Sequence, residues 1–144
     1  MDKISPIADG ERKFRIVAIG YAAQPLLTTK LMLEDAGYVV ITAVGIRKGF
    51  QAIGSAPADL VLLDGSIPEF SKLLLSQRIR KLAPEISVVV VSEGDLERER
   101  FPPDCVLTHG RKTDLLKCID LVLAGQESSQ ALSYGQFDAV VPFL

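Results

Sequence analysis

The sequence predicts an α/β domain, a doubly wound five-stranded parallel sheet with helices on both faces. Three observations lead there. Short apolar runs and segments of helical period alternate five times along the chain. The strand runs are apolar throughout rather than alternating, as expected when both faces of a sheet are covered. Glycines and prolines mark the joins, at Gly37, Gly54, Pro57, Pro84 and Gly125.

Residues 1–12 are polar, carry Pro6 and Gly10, and read as a loose leader. Phe14 to Ile19 is a buried strand by its apolar, β-branched character. Leu26 to Ala36 has helical spacing, with Leu27 and Leu31 four apart and Leu26 and Leu33 seven apart. Gly37 stops that helix, and Tyr38 to Thr42 is the second strand. Ile46, Phe50 and Ile53 mark one face of a short helix ended by Gly54 and Pro57. Leu60 to Leu63 is the third strand. Leu75, Ile79 and Leu82 stripe the next helix, which Pro84 breaks.

Ile86 to Val91 is the most β-branched strand of all. Asp95 to Arg100 has room for one or two charged turns before Pro102 and Pro103. Cys105 to Leu107 is a short fifth strand. Leu115, Ile119 and Val122 stripe a last helix closed by Gly125. The expected organisation is a leader over 1–12, one domain over 13–124 and a tail over 125–144.

Composition excludes several classes. At 144 residues and 48% hydrophobic content, the chain is long and apolar enough for one packed core. A net charge of −2 with mixed signs offers no basic field for nucleic acid or an anionic membrane. No apolar run approaches the ~20 residues of a membrane span, and no leader has a signal-peptide core. Cys105 and Cys118 lie in apolar surroundings and read as small buried hydrophobes of a reduced compartment. The expectation is a soluble cytoplasmic protein.

In such sheets the functional crevice lies beyond the carboxyl ends of the strands. The residues there are Gly20 to Gln24, Asp64 to Pro68, Ser92 to Asp95 and Thr108 to Arg111. Gly20 begins no dinucleotide fingerprint, since Tyr21-Ala22-Ala23-Gln24 supplies no further glycine, and a Walker loop is absent. His109 has no partner at metal-ligand spacing and reads as a solvated loop residue.

One segment carries a resemblance. Leu60-Val61-Leu62-Leu63-Asp64-Gly65-Ser66-Ile67-Pro68 resembles the phosphoacceptor segment of response-regulator receiver (CheY-like) domains. It has an apolar strand, an aspartate at its end and a proline four residues on. Glu34-Asp35-Ala36-Gly37-Tyr38 between helix and strand, and Ser92 directly after the fourth strand, are similar to receivers too. The resemblance spans residues 13–124. It implies the flavodoxin-like strand order 2-1-3-4-5, Asp64 at the phosphoacceptor position and Ser92 at the switch position.

The departures decide the expected function. The resemblance puts a receiver's acidic pair at Gly20 and Tyr21, neither of which carries a carboxylate. Its lysine falls on Thr108 or His109, and its aromatic switch on Cys105 or Val106. The short stretch between Ser92 and Thr108 implies that the helix between the fourth and fifth strands is short or absent.

Phosphoryl transfer to an aspartate needs Mg²⁺ in a near-octahedral oxygen shell and a cation to balance the phosphoryl charge. Only Asp64 and the Ser66 carbonyl stand on the matching ligand positions, so no complete metal site is assigned. The expectation is an atypical pseudo-receiver in two-component-like signalling. It is not an enzyme, needs no cofactor, and acts by protein–protein interaction.

Its partner would be a signalling protein or a second copy, held through the last strand and helix around Leu115 and Leu116. Asp64 is then a strand-end carboxylate bonded to amides such as those of Tyr21 or Ser92. Ser92 caps the next turn, and Tyr21 either roofs the crevice or stands as a loop tyrosine. One alternative is a phosphoaccepting regulator using Asp64 and Mg²⁺ with Glu93 or Asp95 as substitute ligands. Another is a flavodoxin-like domain that binds a small ligand near Gly20 and Tyr21.

Overall fold

A computed structural model describes residues 13–55, 57–92, 101–102 and 105–128. The leader over 1–12, Ala56, residues 93–100 with Glu93 and Asp95, residues 103–104, and the tail beyond Ser128 lie outside the described residues.

The elements run β1 Arg15–Gly20, α1 Ala23–Asp35, β2 Val39–Val44, α2 Ile46–Ser55, β3 Leu60–Leu63, α3 Glu69–Leu82, β4 Ser87–Val91, β5 Val106–Thr108 and α4 Lys112–Ser128. All strand pairs are parallel and the sheet order is β2-β1-β3-β4-β5. Strand alternation divides the core in two. Ile16, Ala18, Leu60, Leu62, Val89 and Val91 face the side covered by α1 and α4. Val17, Ile19, Val61, Leu63, Val88 and Val90 face the side covered by α2 and α3. The unbroken apolar runs follow from this, because every residue of β3 and Ile16 to Gly20 and Val88 to Val91 of β1 and β4 are buried on one face or the other.

Several boundaries differ from the sequence expectation, each for a physical reason. α1 begins at Ala23, not Leu26, because Pro25 falls in the first turn, where no intrahelical N–H is needed. Of its leucines, Leu26 and Leu33 are buried, whereas Leu27 and Leu31 are exposed at 49% and 58%. The α3 stripe is Lys72, Leu75, Ser76 and Ile79; Leu82 points to solvent and Ala83 completes the core. β5 is displaced by one residue, to Val106–Thr108, where its register with Val89 to Val91 places it. α4 runs through Gly125 to Ser128 rather than closing at Gly125. A helical glycine costs only ~1 kcal/mol, and no proline follows to end the helix there.

Gly37 does stop α1. Its φ is 103°, the Tyr38 amide donates to Leu33 O and the Gly37 amide to Glu34 O, a Schellman closure. The Tyr38 hydroxyl then donates to Asp120 of α4, tying the start of β2 to the last helix. Burial, and then the Asp120 hydrogen bond and charge, hold the Tyr38 phenol well above its ordinary value.

Candidate functional site

The carboxyl edge of the sheet gathers residues far apart in sequence. β1 and β3 end side by side, with Ile19 opposite Leu63, and the Asp64 amide donates to Ile19 O at 2.9 Å. Asp64 therefore leaves β3 directly beside Gly20. The chain turns at once: the Ile67 amide donates to Asp64 O at 3.2 Å and the Ser66 amide to Asp64 Oδ2 at 3.0 Å. The carboxylate closes its own turn, as strand-end aspartates do. The amides involved thus differ from those expected. Ser66 serves Asp64, the Tyr21 amide donates to Ser66 Oγ at 2.9 Å, and the Ser92 amide donates to Thr108 O at 2.9 Å.

Gly20 is a point of close approach. A Cβ there would lie 3.0 Å from Leu26 Cγ, 3.1 Å from Ser66 Oγ and 3.2 Å from Asp64 Cβ. The first acidic-pair position is thus filled by neighbours from α1 and the β3 turn. Tyr21 is 39% exposed, and its amide donates to Ser66 Oγ beside the crevice. Ser92 is buried at the end of β4. At the two lysine positions, the Thr108 side chain bonds His109 O at 3.3 Å and the Cys118 thiol, and His109 is exposed. Burial pushes the Cys118 thiol up to about 11 against that hydrogen bond, so it stays an inert buried hydrophobe.

A cation does reach this edge, from an unexpected place. Lys72 in the first turn of α3 is 3% exposed, and its Nζ donates to Val91 O at 2.6 Å. The β3–β4 register ends with Leu63 opposite Val90, because the chain turns at Asp64. Val91 O lies one residue beyond the ladder, and the ammonium supplies a donor to it. Lys72 lies four residues past the phosphoacceptor-like segment, at the head of an apolar stripe. Its spacing to Leu75 at i+3 and Ile79 at i+7 puts it on the buried face, but a lysine there carries no sequence signal of burial by itself.

A Mg²⁺ site of the receiver kind does not fit these residues. Gly20 and Tyr21 bring no carboxylate, a Cβ at Gly20 would crowd Leu26, Ser66 and Asp64, and Asp64 spends one carboxylate oxygen on the Ser66 amide. Among the described residues no three of His, Cys, Asp or Glu come together to hold a metal ion. Among them, too, no helix is long and apolar enough to cross a membrane.

No family model matches the sequence, and no curated protein matches it. Solved structures do. A CheY-like response regulator receiver domain from Methanospirillum hungatei JF-1 is similar at TM-score 0.70 and 23% identity, over 82% of this chain and 99% of that one. The signal receiver domain of an HD domain-containing protein from Pseudomonas fluorescens Pf-5 is similar at TM-score 0.72 and 17% identity, over 81% and 99%. A structure of the histidine kinase ThkA in complex with the response regulator protein TrrA is similar at TM-score 0.60 and 20% identity, over 74% and 96%. With its parallel strand order β2-β1-β3-β4-β5 and Asp64 at the end of β3, the chain has the fold of CheY-like response-regulator receiver domains.

Proposed function

We infer that this protein is an atypical receiver domain of two-component-like signal transduction. It works by binding a protein partner in the cytoplasm, not by accepting a phosphoryl group or catalysing a reaction. The observation that carries this reading is Ser66 Oγ. It occupies the space beside Gly20 where a metal-binding carboxylate would begin, and it is bonded to the Tyr21 amide. Neither Gly20 nor Tyr21 brings a carboxylate there, so Asp64 has no acidic partner on β1 with which to hold a cation. Catalysis of phosphoryl transfer is almost entirely positioning and electrostatics, so a site without the acidic pair forfeits most of it. The ThkA–TrrA complex among similar folds supports a signalling protein as the partner class.

The partner face would be β5 with α4. Leu115 belongs to the core at 4% exposure, and Leu116 packs partly against it, so neither reports on a partner. Leu121, at 41% exposure, is the residue on α4 to substitute.

The test is intact-mass analysis after incubation with acetyl phosphate and Mg²⁺, with Asp64→Ala as control. No adduct is expected on the folded protein. A phosphate-sized adduct that disappears in Asp64→Ala would overturn the reading. One observation favours that second outcome: the Lys72 ammonium sits at the end of β4, one strand from Asp64. In a phosphoaccepting regulator it would stand in for the lysine absent from β5.

A companion result is expected from the acidic pair. Gly20→Asp restores no phosphorylation and lowers stability by about 1–3 kcal/mol, because overpacking at a close contact displaces Leu26 and Ser66. Urea denaturation measures the loss, and an unchanged midpoint would show that the crevice can open.

A further inference from the structure

We propose that the solvent face of α3 is a docking ridge for an acidic amphipathic helix of a partner protein. α3 buries Lys72, Leu75, Ser76 and Ile79, so the helical period puts Phe70, Leu74, Gln77 and Lys81 on the opposite face. Phe70, Leu74, Arg78 and Leu82 follow one another four residues apart, the spacing of the rows that interlock when two helices pack. The row is about 18 Å long. Phe70 is 65% exposed, Leu74 50% and Leu82 67%. Phe70 and Leu82 are the two most exposed large hydrophobic residues among those described. A single exposed leucine needs no explanation, whereas these three stand on one row of one helix, interrupted only by Arg78.

Charge selects the occupant. Arg78 and Lys81 are exposed beside the row, and neither forms an ion pair among the described residues. The helix has one acid, Glu69 at its first residue, and the next, Glu85, lies past its end. The middle of the face is therefore apolar and positive. Arg78 is also held in place: its guanidinium carbon lies 5.5 Å from the centroid of the Phe50 ring of α2, which packs on the core beneath that layer. A guanidinium already placed against a ring loses less freedom on meeting a carboxylate than a free one, and its fork of donors matches a carboxylate. The complement of this surface is a helix with apolar residues four apart and carboxylates beside them.

Two other occupants fit less well. An anionic bilayer would meet Glu69 and Glu85 at the two ends of the row together with the cations, and a net charge of −2 supplies no basic field to offset them. A helix that crosses the row at about 50°, the angle of interlocked four-residue rows, centres on Leu74 and Arg78 and stays clear of both acids. A second copy would offer Leu27, Leu31 and Asp35 of α1, but α1 and α3 cover opposite faces of the sheet. That contact would run head to tail and repeat from copy to copy instead of pairing a surface with itself. The ridge also lies on the layer opposite α4, so it is a surface additional to the β5–α4 face, and it does not depend on whether Asp64 accepts a phosphoryl group.

The experiment is fluorescence anisotropy of the full chain with a labelled synthetic helix, stapled on its outer face, that carries leucines four apart flanked by glutamates. A second helix has lysines in place of the glutamates. Saturable binding of the acidic helix is expected, with the basic helix about tenfold weaker or more. Leu74→Ala and Arg78→Glu should each weaken the acidic helix about tenfold or more, and Arg78→Glu should strengthen the basic one. Both positions are exposed, so circular dichroism should show both variants folded. Leu121→Asp should leave binding unchanged. No binding of the acidic helix, equal binding of both helices, or binding lost only in Leu121→Asp would overturn the proposal. So would sedimentation with vesicles of phosphatidylcholine and phosphatidylserine in equal parts that Arg78→Glu abolishes, which would make the face a membrane contact. Concentration-dependent assemblies broken by both Arg78→Glu and Leu31→Lys would overturn it too, in favour of a second copy.

Discussion

Leu115→Asp is expected to abolish folding of this domain, the largest effect of any single substitution considered. Leu115 sits in the first turns of α4 at 4% exposure, in the cluster that joins Val89, Val91, Val106 and Ile119. Truncating a buried leucine alone costs about 2–5 kcal/mol. A carboxylate in its place must also be desolvated or must take up a proton, which adds several kcal/mol more. Single domains hold only about 5–15 kcal/mol in total. Leu121→Asp, on the same helix at 41% exposure, should change stability by no more than about 0.5 kcal/mol. Far-ultraviolet circular dichroism and thermal melts of the pair check this. A cooperative, wild-type-like melt for Leu115→Asp would mean that α4 is rotated relative to the arrangement described.

The second large effect is expected at Lys72. Lys72→Ala removes a buried stem and the donor to Val91 O together, leaving a cavity and a carbonyl past the end of the β3 ladder. The loss should be about 2–4 kcal/mol, from packing and from the hydrogen bond of a charged donor. Lys72→Met keeps most of the stem but no donor, so it should fall between the alanine variant and wild type, about 1–2 kcal/mol down. Urea titrations of the three proteins measure the series. If Lys72→Met matched wild type, the carbonyl would have another donor and Lys72 would be held by packing alone. If Lys72→Met also removed an acetyl phosphate adduct, the ammonium would be part of a working site and the binding-module reading would fail.

The sequence by itself determined the layering and the order of the elements. Continuous β-branched runs such as Val88 to Val91 can only be strands covered on both faces, and Gly37 can only end a helix by taking a positive φ. Local chemistry dictates both, so both were legible. The residues of the candidate site were equally legible in name: Gly20, Tyr21, Asp64, Ser92, Thr108 and His109 all lie at the carboxyl edge, since strand ends in a parallel sheet share one edge.

What only the tertiary structure decided is which groups meet there. Tyr21 and Ser66 are 45 residues apart, and their hydrogen bond exists because β1 and β3 pair with Ile19 opposite Leu63. Lys72 reads in sequence as an ordinary helix lysine. It becomes a buried cation at the end of β4 because β3 stops one residue short of Val91. Leu27 and Leu31 have the spacing of a buried pair, and so do Leu26 and Leu33. Helical period shows that such a stripe exists, while the position of the sheet and of α4 selects which stripe is covered. Periodicity is a property of neighbours in the chain, whereas the Tyr21–Ser66 hydrogen bond and the Lys72 contact depend on strand register between distant segments.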